Sequence, residues 1–275
     1  MQILQKIFAF AQIAITLAFL TYASYSDYKT REVTNRVWTI YAPIAALLTI
    51  SQLVLFASSQ LWLFGLSFGL TTGFALLLFY TGGFGGADSK ALMCIALALP
   101  FFPAVIVTPL LPEGISPLSQ LLFPITVLSN AVLVAAASAL YLLSRNIARK
   151  ITTGKPLFDG SLAQESIGKK ILVLVTGQKF PLATLKAKWH VYPLEDISVP
   201  KSEGDNPQRK LMVMPTDEGR DDVVARLSQA AEAGQIDSKV WATPGLPMLI
   251  FITVGLLLAL SLGDIIWFLV AHLFG

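Results

Sequence analysis

Five acidic residues lie outside the charge-rich stretch 151–243: Asp27, Glu32, Asp88, Glu113 and Asp264. Two of them are placed for chemistry. Asp27 closes the first long apolar run, in "SDYKTREVTN" (26–35), and Asp88 opens the fourth, in "GGFGGADSK" (82–90). A carboxylate at membrane depth is costly and marks a functional position. Two carboxylates that face each other hold one proton between them. The ionised one takes a proton from water, and the protonated one donates a hydrogen bond to the carbonyl that the water attacks. This chemistry hydrolyses an amide without metal, cofactor or thiol. Gly82, Gly83, Gly85 and Gly86 permit backbone shapes that other residues resist and leave room for a substrate chain. A helix start also favours an anion such as Asp88. The plain alternative, an ordinary N-terminal helix residue behind a glycine turn, fits Asp88 equally well.

Apolar helices must position these groups. The chain has 275 residues, 55% hydrophobic and 13% charged, against about 25% charged in a soluble domain; its mean hydropathy is +0.67. Six runs reach the roughly 20 residues that cross a bilayer: about 5–26, 36–57, 60–81, 88–111, 118–145 and 245–272. The fourth carries Pro100 and Pro103, which predict a kink. In the third, Gly65, Gly69 and Gly73 form a smooth stripe suited to close helix packing. Only Lys6 precedes the apolar stretch 7–25 while Lys29, Arg31 and Arg36 follow it, so it reads as a retained helix rather than a signal peptide. Lys29, Arg31, Arg36, Lys90, Arg145, Arg149 and Lys150 gather on one side, while loops 58–59 and 112–117 hold no lysine or arginine. The positive-inside rule makes the first side cytoplasmic and the N-terminus outside. Asp27 and Asp88 then share the cytoplasmic edge, and Asp264 lies near the outer surface within reach of water.

Residues 151–243 are different, with 12 basic and 12 acidic residues. "KKILVLVTG", "RKLMVMP" and "KVWATP" read as strands, and "DEGRDDVVARLSQAAEAG" as a capped amphipathic helix; 200–210 reads as a loop. The expected fold is an all-α polytopic membrane bundle of six transmembrane helices with a small cytoplasmic α+β domain inserted before the last helix. The domains are then 1–150, 151–243, and a sixth helix at 244–275 that completes the membrane part. Cys94 is alone and reads as a buried packing residue, and His190 and His272 are isolated, so no metal site is expected. Nothing calls for nucleic acid; the bilayer is the expected partner.

The two aspartate segments together resemble the type IV prepilin peptidases and, more broadly, the GxGD membrane aspartyl proteases. Asp27, Lys29 and Asn35 match the first motif; Gly85, Ala87 and Asp88 match the second, with alanine at 87 where the strict form has glycine, and Lys90 follows as a frequent basic residue. The archaeal preflagellin peptidase is the nearest form, with a small domain before the last helix and a start to that helix similar to "WATPGLP" (241–247). The resemblance covers the membrane part and is weak over 151–240. It implies an aspartic-type endopeptidase with Asp27 and Asp88 as the catalytic pair. Lys29, Asn35, Gly85, Gly86, Ala87 and Lys90 would support the motifs or touch substrate. The implied substrates are preflagellin or prepilin-like precursors, cut at the cytoplasmic face. Plainer roles stay open: Lys29, Arg31 and Arg36 as topology determinants, Asn35 as a helix cap, Lys90 as a snorkelling cation. So do a presenilin-like intramembrane protease, a carboxylate-dependent ion or proton-coupled transporter, and a non-catalytic scaffold. The oligomeric state is unreadable.

Overall fold

The computed structural model describes residues 1–111, 113–198, 208–213, 219–245 and 247–274. It is mostly helical, with two compact units: Met1–Ala135 with Pro247–Gly275, and Ala136–Leu246. Among the described residues, four helices are long and apolar enough to cross a membrane, or five spans if a bent pair counts as one. The protein is a multi-pass membrane protein, and among the described residues the expected six full-length spanning helices are not found.

In the first unit, α1 (Gln2–Thr30) ends at Arg31, whose left-handed φ of 58° turns the chain. Ser26 and Thr30 hydroxyls both donate to the Glu32 carbonyl, at 2.8 and 3.1 Å, and fix that turn. α2 (Asn35–Phe56) returns beside α1. Buried polar side chains tie them: Tyr41 Oη donates to Thr16 Oγ1 at 2.8 Å and Gln12 Nε2 to Thr49 Oγ1 at 2.9 Å. α3 (Leu61–Tyr80) packs on α4 (Gly86–Ala98) through a face that buries Ser67, Thr71 and Ala75. Gly65, Gly69 and Gly73 lie elsewhere, and a Cβ built on any of them meets no atom within 4 Å. The stripe therefore packs no helix among the described residues, contrary to the sequence expectation.

The expected fourth span is a half-helix. Its 13 residues rise about 20 Å, short of the roughly 30 Å hydrocarbon core. Pro100 is the reason. It pushes Leu99 out of the helical region, to φ −135° and ψ 67°, and offers no N–H to continue the ladder. Irregular backbone at this depth survives only where protein satisfies it. Thr49 Oγ1 donates to the Ala98 carbonyl at 3.1 Å, and Ser67 Oγ and the Phe123 N–H both donate to the Pro100 carbonyl at 3.1 Å. The chain then passes α5 (Pro117–Leu121) into α6 (Phe123–Thr153), within which the two units divide.

The last apolar run is broken too, into α10 (Met248–Ser261) and α11 (Ile265–Phe274), bent by 59°. Gly263 has φ +89°, and a Cβ there would stand 2.2 Å from the Gly114 oxygen. Asp264, expected within reach of water, is 3% exposed. Its Oδ1 accepts the Trp267 N–H at 3.0 Å and its Oδ2 accepts the Ser116 hydroxyl at 2.6 Å. It caps the helix that restarts after the break.

The second unit is α+β. β1 (Gln178–Pro181), β5 (Lys239–Thr243) and β2 (Tyr192–Pro193) form an antiparallel sheet in the order β1-β5-β2; β3 (Glu195–Ile197) pairs with β4 (Arg209–Leu211). α8 (Leu182–Ala187) and α9 (Arg220–Glu232) bury Leu182, Leu185, Val223 and Leu227 with Val240. The expected strand in "KKILVLVTG" is instead α7 (Ile167–Thr176). A short apolar run does not separate strand from helix by periodicity; here Ser166, whose side chain accepts the Lys169 N–H, starts a helix. The expected loop 200–210 lies outside the described residues except at its end, where Arg209 and Lys210 belong to β4.

Glu165 joins α7 to this sheet. It accepts Lys169 Nζ at 2.9 Å and the Leu211 N–H at 2.8 Å. The Lys169 bond first, then the Leu211 bond, hold its carboxyl below the usual glutamate range. A carboxyl depressed in the folded state contributes stability that is full above its unfolded value and is lost as pH falls through its folded value. Glu165→Gln is therefore expected to flatten the acid sensitivity of this unit below about pH 5. Amide exchange at Leu211 across pH is the check: wild-type protection falls on acidification more steeply than that of the variant.

Candidate active site

Three local structures build the site. α1 carries Asp27 one turn before its end, and Arg31 follows at the i+4 position. The Arg31 guanidinium acts on the Asp27 carboxylate electrostatically, and the Arg31 N–H bonds the Asp27 carbonyl at 2.9 Å. α3 ends in a glycine turn in which Gly82 takes φ +77° and the N–H groups of Gly83 and Phe84 both return to the Leu78 carbonyl, at 2.8 and 3.0 Å. That turn delivers Gly85 to the start of α4 and Asp88 to its third position.

Asp88 is half-buried, and its Oδ2 accepts the Gly85 N–H at 3.1 Å. A Cβ on Gly85 would lie 3.1 Å from that same oxygen, so any side chain there presses on the carboxylate. Gly86 is under no such constraint: a Cβ there would make an ordinary 3.6 Å contact with Phe79. Ala87 is half-buried against the core of the bundle. Asp27, also half-buried, is near enough for its charge to act on Asp88. The structure thus brings the two carboxyl groups, 61 residues apart in the sequence, into one unit and close enough for the charge of Asp27 to act on Asp88.

The other motif residues divide. Lys90 Nζ donates to Asn35 Oδ1 at 2.7 Å, a bond between the two motifs that spacing could not reveal. Thr34, not Asn35, occupies the cap position of α2, and no side-chain cap bond forms. Lys29 stays exposed, its ammonium 5.8 Å from the Tyr25 ring centroid. Sequence reasoning passed over Ser89, whose buried hydroxyl donates to the Ala75 and Gly85 carbonyls at 3.2 Å and pins the start of α4 to α3. It also passed over Ser24, whose Oγ donates to the Leu249 carbonyl at 3.0 Å and holds α1 to α10. The one available signal was a small polar residue on the otherwise apolar face of a membrane helix.

Residues 14–139, which hold both aspartates, match the profile of the type IV leader peptidase family, and residues 169–265 match that described as archaeal peptidase A24 C-terminus, type II. The chain belongs to the type IV leader peptidase family. It is an aspartic-type leader peptidase of the membrane, with the archaeal form of the C-terminal part. No curated protein matches the chain closely. The C-terminal match runs through 169–240, where the sequence alone showed only weak resemblance. The leader peptidase reading displaces the transporter and scaffold alternatives.

In this peptidase the Lys90–Asn35 bond is exposed, and such pairs stabilise by under about 1 kcal/mol. Lys90→Met and Asn35→Ala are each expected to slow cleavage by less than about tenfold. The double variant is expected to match either single one, because both remove the same bond. Initial rates in membranes measure this; additive losses would show that the two residues act separately.

Proposed function

We propose that Asp27 and Asp88 are the catalytic pair, and that the peptidase removes the short basic leader of preflagellin or type IV prepilin-like precursors at the cytoplasmic membrane face. The observation that carries the reading is the approach of the two half-buried carboxyl groups from the ends of α1 and α4. One carboxylate, ionised, accepts a proton from the attacking water. The other, protonated, donates a hydrogen bond to the scissile carbonyl and stabilises the developing oxyanion. Collapse of the tetrahedral intermediate breaks the C–N bond as the carboxyl that took the water proton passes it to the leaving amine. The glycine turn before Asp88 keeps side chains away from the carboxylate and leaves space for the substrate backbone.

The basic residues Lys29, Arg31, Arg36 and Lys90 support a cytoplasmic orientation for the edge that carries the aspartates. A leader ahead of a hydrophobic helix presents its scissile bond at that depth. Precursor proteins of the preflagellin and prepilin-like types, incubated with membranes that contain the peptidase, test this. Sequencing of the product N-termini is expected to place the cut just before the hydrophobic stretch. A cut inside that stretch would instead make the enzyme an intramembrane protease of the presenilin type, and the preferred precursor names the pathway.

A further inference from the structure

The α+β unit contains a pocket of about 290 Å³ whose wall is strongly cationic. Arg149 and Lys150 enter it from the last turns of α6, Lys155 from the segment that follows, Lys179 from β1 and Lys239 from β5. Asp237 is the one carboxylate among the lining residues. Like charges gathered round one cavity repel, and a fold holds them there at a cost unless something opposes it. Among the described residues, Arg149, Lys150, Lys155 and Lys239 make no ion pair. Lys179, with a side chain only 14% exposed, has Asp159 at 3.8 Å, which sits closer to Arg209 at 3.3 Å, and feels the charge of Glu195, which Arg209 pairs at 2.8 Å.

The carbonyl end of α6 accounts for part of this, since it favours cations in the last turn. It does not account for Lys179 and Lys239, which come from the sheet. Trp241 also lines the pocket; it is buried, its indole N–H bonded to the Leu157 carbonyl. Ser238 lines it as well. The volume lies at the low end for ligand pockets. It suits a compact anion, whereas an acidic peptide or a nucleic acid needs an extended groove. Arg149 follows the apolar part of α6, which ends near Leu143, by about 9 Å of helix rise. That rise puts Arg149, one wall of the pocket, near the level of lipid headgroups.

We propose that this pocket binds a phosphate group, carried either by an anionic membrane lipid or by a soluble phosphate compound. Lysine and arginine hold phosphate oxygens by charge-assisted hydrogen bonds, and the bound anion neutralises the cluster that α6, β1 and β5 assemble. The site is separate from the aspartate pair and does not depend on the substrate proposed for it.

The test uses the full-length peptidase in nanodiscs of pure phosphatidylcholine, titrated with inorganic pyrophosphate, and in nanodiscs with added phosphatidylglycerol, followed by native mass spectrometry. Lys155→Gln with Lys239→Gln is expected to weaken pyrophosphate binding, or to lower phosphatidylglycerol retention, by about tenfold or more. Asp237→Asn, which removes the one opposing carboxylate, is expected to strengthen binding; a variant that merely misfolds would not. Phosphatidylglycerol that competes with pyrophosphate in the wild type assigns the natural source to lipid, and indifference assigns it to a soluble compound. The proposal is overturned if neither probe binds, or if binding is the same in wild type and the double variant. It is equally overturned if a glutamate-rich peptide binds the pocket and pyrophosphate does not displace it.

Discussion

Asp88→Asn is expected to reduce precursor cleavage by about 10²- to 10⁴-fold, the range lost when a general acid or base is removed, with the fold unchanged. The substitution isolates charge from structure. Asp88 Oδ2 accepts the Gly85 N–H at 3.1 Å, and an asparagine carbonyl oxygen accepts the same bond, so the start of α4 keeps its cap. What the amide cannot do is ionise or share a proton with Asp27. Asp27→Asn is expected to lose as much. The double variant is expected to be no slower than either single one, because residues that act as a unit give strongly non-additive losses. Single-turnover cleavage in membranes, read beside the melting temperature, separates the outcomes. A variant that stays folded and cleaves at the wild-type rate removes that aspartate from the mechanism.

Gly255→Val is expected to have the largest effect on stability, a loss of about 3 kcal/mol or more. Even a Cβ at this position of α10 would stand 2.4 Å from the Val127 oxygen, 2.7 Å from the Ala131 nitrogen and 2.9 Å from the Ala131 Cβ, all on α6. Two of these are backbone atoms of a helix, which cannot turn aside as a flexible side chain does, so α10 must separate from α6. The consequence reaches the site, because α10 holds α1 through Ser24, bonded to the Leu249 carbonyl at 3.0 Å and paired with Thr253 Oγ1 at 2.8 Å. Cleavage is therefore expected to fall with stability. Gly69→Val on α3 is the control: nothing lies within 4 Å of a Cβ there, so its cost is expected to stay within about 0.5 kcal/mol. Thermal unfolding in detergent compares the two, and similar losses would contradict the packing described for α10.

That contrast shows where the sequence is readable. Gly65, Gly69 and Gly73 advertise a packing face by spacing, yet they pack nothing among the described residues, while the solitary Gly255 marks the close crossing. Spacing reports which residues share a face of a helix, not what lies opposite that face. The same limit hid the Lys90–Asn35 bond between residues 55 positions apart. It also hid the burial of Asp264, which depth along a straight helix places in water and which the bend at Gly263 turns against Ser116. The α7 error has a local cause, since "ILVLV" suits either a strand or one turn-rich face of a helix.

By itself the sequence determined the membrane character, the α+β unit, the family and the two aspartates as the groups to watch. Hydrophobicity and charge act residue by residue, and their pattern survives without coordinates. The tertiary structure alone decided that the fourth apolar run stops at Ala98, because the freed carbonyls find donors in Thr49, Ser67 and the Phe123 N–H, brought from three other helices. It alone decided that the last run breaks, where Gly263 meets Gly114 too closely for any other residue. And it alone brought Asp27 within electrostatic reach of Asp88, because that distance is set by how α1, α2 and α4 pack and by no property of either segment.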